Sequence, residues 1–310
     1  MLMELLHIGP ITIYSYGLMM ALGMIAAVWL GMRRCTPRGL DKDEIFNMGF
    51  MGIVAGVIGA KLTYYIVELP AIIVDPSMLL DLTSGFVVYG GIIAGVLIPV
   101  IYAKAKNLPI MKYLDVAAPC IPLAQGFGRI GCYLAGCCYG CATDSWIGVV
   151  FPEGSLAPAG VSLIPTQLIS AIGDFAIAGI LLLYTRKDKE HPDGTGMAWY
   201  MVLYAIGRFV IEIFRNDPRG NVWFLSTSQF ISIFIFVAGV IWLVEAISKH
   251  KADAQAALEA KVEAELAAEE EARKEKANEL KKVGVAFEIH ESPAIVEEGT
   301  EESAEEDARE

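Results

Sequence analysis

Long apolar runs alternate with short polar loops along this chain. Seven runs stand out, at 14–32, 46–67, 86–103, 114–134, 166–184, 196–214 and 226–247. Each is roughly 18–22 residues long, enough for a helix to cross a hydrocarbon core about 30 Å thick. The fourth is the weakest, because Asp115, Pro119, Pro122 and Arg129 interrupt it, and the second contains Lys61. The pattern predicts an all-α, polytopic membrane protein with seven transmembrane helices.

The charges between the runs give an orientation. Arg33, Arg34 and Arg38 follow the first run; Lys104, Lys106 and Lys112 the third; Arg186, Lys187 and Lys189 the fifth; Lys249, His250 and Lys251 the seventh. The loops after the second and fourth runs hold no Lys or Arg. Basic loops stay in the cytoplasm, so the expectation is an N-terminus outside and a C-terminus inside. The first run has its positive charge behind it, which is the reverse of a signal peptide, and it reads as a retained helix. Arg215 and Arg219 follow the sixth run on the expected outer side. Topology gives no reason for them, so they become candidates for function.

Composition agrees with a membrane protein: 55% of residues are hydrophobic and 19% charged, against about half and a quarter in soluble domains. The net charge of −12 comes mostly from residues 248–310, while the preceding body is nearly balanced. There is no basic face for phosphates of nucleic acid. The expected division is a transmembrane domain over 1–247 and an acidic cytoplasmic tail over 248–310. Within the tail, 251–282 is rich in Ala, Glu and Lys and favours helix, and 283–310 has the composition of a disordered segment.

The chemistry concentrates in two places. Residues 126–141 carry Arg129, the thiols of Cys132, Cys137, Cys138 and Cys141, and five glycines that permit turns and close approach. Arg208, Glu212 and Arg215 stand at i, i+4 and i+7, on one face of a helix. An internal salt bridge accounts for one arginine of that stripe and leaves a surplus cation. Ionisable groups inside spans mark function by default. Guanidiniums that converge suit a phosphate, which they grip in a bidentate manner. At the outer end of a membrane span, the phosphate expected is that of a phospholipid headgroup.

Gly128-Arg129-Ile130-Gly131, with Gly136 and Gly140 downstream, resembles the signature of the prolipoprotein diacylglyceryl transferases. So do Tyr16-Gly17-Leu18-Met19, Gly90-Gly91, Pro165-Thr166-Gln167-Leu168, the segment 207–215, and Leu225-Ser226-Thr227-Ser228-Gln229, in the family's order. The resemblance covers about 8–247. It implies transfer of the diacylglyceryl group of phosphatidylglycerol to the lipobox cysteine thiol of a preprolipoprotein, with release of glycerol phosphate, in a bacterial inner membrane. It implies catalytic roles for Arg129, Arg208 and Glu212, and lipid or substrate contacts for Tyr16, Tyr89, Gly90, Gly91, Gln167 and Arg215. The implied partners are phosphatidylglycerol, the lipobox signal peptide and membrane lipid. It implies neither cofactor nor metal.

The chain departs from the family pattern where a base is needed. Tyr89 replaces the family's histidine, and a phenol of pKa about 10 is a poor base at neutral pH. Cys132 and Cys137 replace the usual Asn and Glu. The cysteine spacing C-x4-C-C-x2-C leaves disulfide or packing, reactive thiol, and metal ligation all open. His7, His191, His250 and His290 lie in loops, termini or the tail, none placed as a base. Asp174 sits mid-span, facing either the cavity or a helix neighbour. Lys61, in place of a family arginine, either snorkels outward or reaches a headgroup. Two rival functions follow from the departures: a lipid-binding or lipid-moving protein without covalent chemistry, and a thiol oxidoreductase built on Cys132–Cys141.

Overall fold

A computed structural model describes residues 4–8, 11–81, 84–186, 191–217 and 221–282. The chain divides into two compact units, Met1–Lys251 and Ala252–Glu310. The helices are α1 (Ser15–Cys35), α2 (Lys42–Val67), α3 (Leu69–Val74), α4 (Val88–Ala105), α5 (Ile110–Ala117), α6 (Cys120–Ala135), α7 (Thr166–Tyr184), α8 (Thr195–Ile213) and α9 (Thr227–Lys282). Among the described residues, α1, α2, α4, α7, α8 and α9 are long and apolar enough to cross a membrane. The apolar runs locate these six within a few residues, except that α9 continues past 247 to Lys282, and 166–184 matches α7 at both ends. The segment 251–282 is helical as its composition suggested, and 283–310 lies outside the described residues.

Two expectations need correction. The fourth run is not one helix. It divides into α5 and α6 at Ala118 and Pro119, because a proline lacks the helical N–H and crowds the preceding turn. That leaves α6 at 16 residues, about 24 Å long. Nor is the chain purely helical. β1 (Glu4–Ile8) and β2 (Ile11–Tyr14) form an antiparallel hairpin, rich in the β-branched residues that suit strands. Two short ladders, β3 (Val149–Val150) with β4 (Ser162–Leu163) and β5 (Asn221–Val222) with β6 (Leu225–Ser226), brace the loops before α7 and α9.

Within the first unit the helices pack in the order α4, α2, α1, α6, α7, α8, each against the next. The α2–α4 contact is a seam of small residues. A Cβ on Gly59 would lie 2.7 Å from the Gly90 carbonyl oxygen, and one on Gly91 would lie 3.0 Å from that of Gly56. Membrane helices approach closely through such residues, since hydrocarbon gives apolar side chains no reason to leave lipid. Along the line, Gly131 of α6 packs against Tyr16 and Met19 of α1, and Gly126 against Phe175 of α7.

A buried polar network ties the opposite helix ends. The Asp115 carboxylate accepts from the backbone N–H groups of Gly194, Gly196 and Met197 at 2.7, 2.8 and 3.3 Å, satisfying donors that the start of α8 leaves open. Arg34 donates to Thr185 Oγ1 at 2.5 Å and to the Asp115 carbonyl at 3.5 Å, and Arg38 also donates to the Thr185 carbonyl. Arg34 and Arg38 therefore hold structure.

Candidate active site between α6, α7 and α8

A cavity of about 310 Å³ opens between α6, α7 and α8. Arg129 of α6, Asp174 and Ser170 of α7, and Tyr204 and Arg208 of α8 supply its polar lining; Ile169, Ile177, Val210 and Ile211 supply much of the rest. An apolar chamber with a few charged groups at one place suits an amphiphile. Arg208 is held from two sides. Its Nη1 lies 2.6 Å from Glu212 Oε2, and its Nη2 donates to Ser228 Oγ at 2.7 Å. Glu212 is buried, so the pair is desolvated, and an attraction there is much stronger than in water. Asp174 faces the cavity, which decides between its two readings. The structure thus brings Arg129, Arg208 and Glu212 together.

Arg215 takes a different place. Its Nε and Nη2 meet the two carboxylate oxygens of Asp217 at 3.2 and 3.3 Å, and its charge bears on Cys138. Gln167 does not line the cavity. It is buried, and its Nε2 donates to the Cys137 carbonyl at 2.7 Å, while Thr166 Oγ1 donates to the Cys138 carbonyl at 2.8 Å. Both hold the loop behind α6. Gly136 starts that loop with φ 72° and caps α6 through its N–H to Cys132 and Tyr133 carbonyls. Gly140 then threads between Ile164 and Phe214, where a Cβ would meet their carbonyl oxygens at 2.7 and 2.8 Å. Cys141 continues this strap, its N–H donating to the Phe214 carbonyl and its carbonyl accepting from Ile164.

The four thiols of the loop separate. Cys132, Cys137 and Cys138 are free, with their sulfur atoms all within 4.8 Å of one another. Cys141 stands outside that trio. Hydrogen bonds from Cys132 and Cys137, with Arg215 adding its charge, hold the Cys138 thiol below the ordinary thiol range. Gly90 and Gly91 sit in the α2–α4 seam, and Tyr89 half-exposed in the first turn of α4. Lys61 is buried: its Nζ donates to the Asp81 and Ser84 carbonyls at 2.5 and 2.6 Å and lies over Tyr64, Tyr65 and Phe86. His191 stacks on Tyr184, 3.8 Å from Asp115, in the loop between α7 and α8. Arg219 and His290 lie outside the described residues.

A family model described as prolipoprotein diacylglyceryl transferase matches residues 3–245. The chain belongs to that family. It is 48% identical over 236 residues to phosphatidylglycerol–prolipoprotein diacylglyceryl transferase 2 of Clostridium perfringens, covering 76% of this chain and 91% of the relative. A phosphatidylglycerol–prolipoprotein diacylglyceryl transferase of Clostridium tetani is also 48% identical, over 76% of this chain and 94% of the relative. One from Clostridioides difficile is 33% identical, over 78% and 94%. Membership accounts for the motif order along 8–247. Three site residues, Ser170, Tyr204 and Ser228, had no assigned role from the sequence. Ser228, inside the matching segment 225–229, is the second anchor of Arg208. Tyr204 enters the cavity one turn before Arg208, and its spacing on the Arg208 face was the available signal.

Proposed function

We propose that this protein transfers the diacylglyceryl group of phosphatidylglycerol to the lipobox cysteine thiol of preprolipoproteins and releases glycerol phosphate. The observation that carries this reading is the pair of arginines, Arg129 and Arg208, on one largely apolar cavity of a chain in the transferase family. The acyl chains fit the apolar lining. The headgroup phosphate meets the two guanidiniums. When the carbon–oxygen bond to phosphate breaks, negative charge grows on the departing oxygen, and fixed cations placed there lower the barrier. Glu212 and Ser228 keep Arg208 from rotating away, so little reorganisation is needed at the moment of reaction.

The reading extends to topology. α6 serves as a short seventh crossing; a bilayer thins locally around a helix shorter than its core at modest cost. The N-terminus lies outside, the C-terminus in the cytoplasm, and the site opens to the outer leaflet of a bacterial inner membrane. The test is purified protein in phosphatidylglycerol vesicles with a lipobox peptide, following thioether and released glycerol phosphate together. Formation of both in equal amounts is expected. Lipid binding without thioether would support the rival lipid-binding function, and thiol cycling with reductant the oxidoreductase.

A further inference from the structure

Cys132, Cys137 and Cys138 come from two elements, the end of α6 and the loop behind it. Successive side chains of an extended strand point to opposite faces. Here the backbone at Cys138 is left-handed, φ 64°, and its sulfur shares a side with that of Cys137. Such a conformation costs a non-glycine residue on the order of 1–3 kcal/mol and persists only where its surroundings impose it. The surroundings are rigid: Thr166 and Gln167 hold both loop carbonyls, and Gly140 and Cys141 are laddered to α8 and the strand before α7. Gln167 Oε1 is buried with no hydrogen-bond partner among the described residues. Arg215 is held by Asp217; its charge bears on Cys138, and that of Arg129 on Cys132 and Cys138.

We propose that Cys132, Cys137 and Cys138 form a three-thiolate site for a d10 cation such as Zn²⁺, with a fourth position open to the acceptor's thiol. The second half rests on the transferase reading; the first does not. Zinc–sulfur bonds of about 2.3 Å place the sulfurs of a tetrahedral site about 3.8 Å apart, so a trio already within 4.8 Å closes by small side-chain rotations. Three thiolates and a divalent cation leave one negative charge, which Arg215 and Arg129 offset. Arg215, fixed by Asp217, would supply a fixed outer-shell charge to Cys138. Three protein ligands with one open position is the arrangement of catalytic rather than structural zinc.

The open position answers the missing base. A thiol that coordinates the cation loses its proton, here to solvent. Its sulfur electron pair forms the bond to the glyceryl carbon. The carbon–oxygen bond to phosphate breaks, and its electrons leave on the phosphate oxygen that Arg129 and Arg208 face. No group changes oxidation state.

The experiment uses the full chain, purified in detergent with all thiols reduced. Zinc is measured by elemental analysis, and Cd²⁺ is titrated as a probe through its thiolate-to-metal ultraviolet absorption. About one metal per chain is expected, lost in Cys137→Ser/Cys138→Ser, retained in Cys120→Ser, and bound about 10- to 100-fold more weakly in Arg215→Gln, as for other outer-shell partners. Should the double variant fail to fold, stripping the unmutated protein with a chelator and reloading it answers the same question. Absence of the cadmium band from fully reduced protein overturns the site, as does equal metal in the double variant. Stripping should lower thioether formation at least 10-fold, with recovery on adding Zn²⁺. Unchanged transfer after stripping refutes the open-position role. Metal bound by a protein that never releases glycerol phosphate refutes the transferase reading and leaves the metal site standing.

Discussion

Replacing Arg208 with alanine does two separable things. Glu212 is 6% exposed, and the guanidinium 2.6 Å from it is its cation. Removing one member of a buried ion pair costs about 3–5 kcal/mol, because the charge left behind stays desolvated. The same change deletes a donor aimed at the departing phosphate, and loss of one such donor lowers turnover about 100- to 1,000-fold, or about 2.7–4 kcal/mol. Arg208→Ala alone therefore confounds unfolding with catalysis. Arg208→Ala/Glu212→Ala separates them: with both charges gone, most of the stability returns and none of the turnover does. Thermal unfolding in detergent reads the first quantity, and glycerol phosphate release from phosphatidylglycerol the second. Arg208→Lys keeps one charge but loses the fork that reaches Glu212 and Ser228 at once, so it should rescue poorly. A double variant that regains turnover, or an Arg208→Ala protein within tenfold of the unmutated rate, would refute the assigned role.

Gly140→Ala places a Cβ against the Ile164 and Phe214 carbonyl oxygens; thermal stability should fall by about 1–3 kcal/mol, as for other overpacked sites, and thioether formation with it. Asp115→Ala removes the acceptor of three backbone donors at the start of α8, and each buried donor left open costs about 1–3 kcal/mol, so loss of the folded protein in detergent extracts is expected. Truncation after Lys251 removes the compact unit Ala252–Glu310, which lies beyond the family match at 3–245, and should leave glycerol phosphate release nearly unchanged. Reporter fusions after Arg38, Lys112, Lys189 and Lys251 should read cytoplasm and one near Gly154 outside; a cytoplasmic reading at Gly154 refutes the orientation.

Hydropathy made six helices legible because burial in lipid needs only an apolar run of sufficient length. It failed at 114–134 because a window average does not register where Pro119 stops the hydrogen-bond ladder. The site was legible unevenly. Arg208 and Glu212 announced themselves by a four-residue spacing inside a span, and that spacing is a contact on any helix. Arg129 announced itself by its cost in lipid. Gln167 and Arg215 belong to matched segments too, yet their partners are a loop carbonyl and an aspartate. Which group a buried polar side chain satisfies depends on how the 136–142 strap folds back, and no periodicity encodes that. The carbonyl partners of Lys61 went unforeseen for a similar reason: backbone acceptors are carried by every sequence.

The position of Tyr89 bears on how the reaction obtains its thiolate. Tyr89 precedes two glycines that α4 uses to press against α2, and α2 and α5 are the helices that α4 packs on most. The glycines of the family's His-Gly-Gly element thus keep a packing duty here whatever residue precedes them, and the tyrosine at its head inherits the place without the basicity. The arginines lie at the other end of the helix order, on α6 and α8. There, α6 runs from Arg129 straight to Cys132 within one turn, and the strap returns Cys137 and Cys138 to it, with Arg215 joining them. Arg129 and Cys132 therefore sit on one element, and Cys137 and Cys138 on the stretch that follows it. The proposed cation site would supply a thiolate on the same helix as the proposed phosphate-binding Arg129, where Tyr89 on α4 lacks the basicity for it.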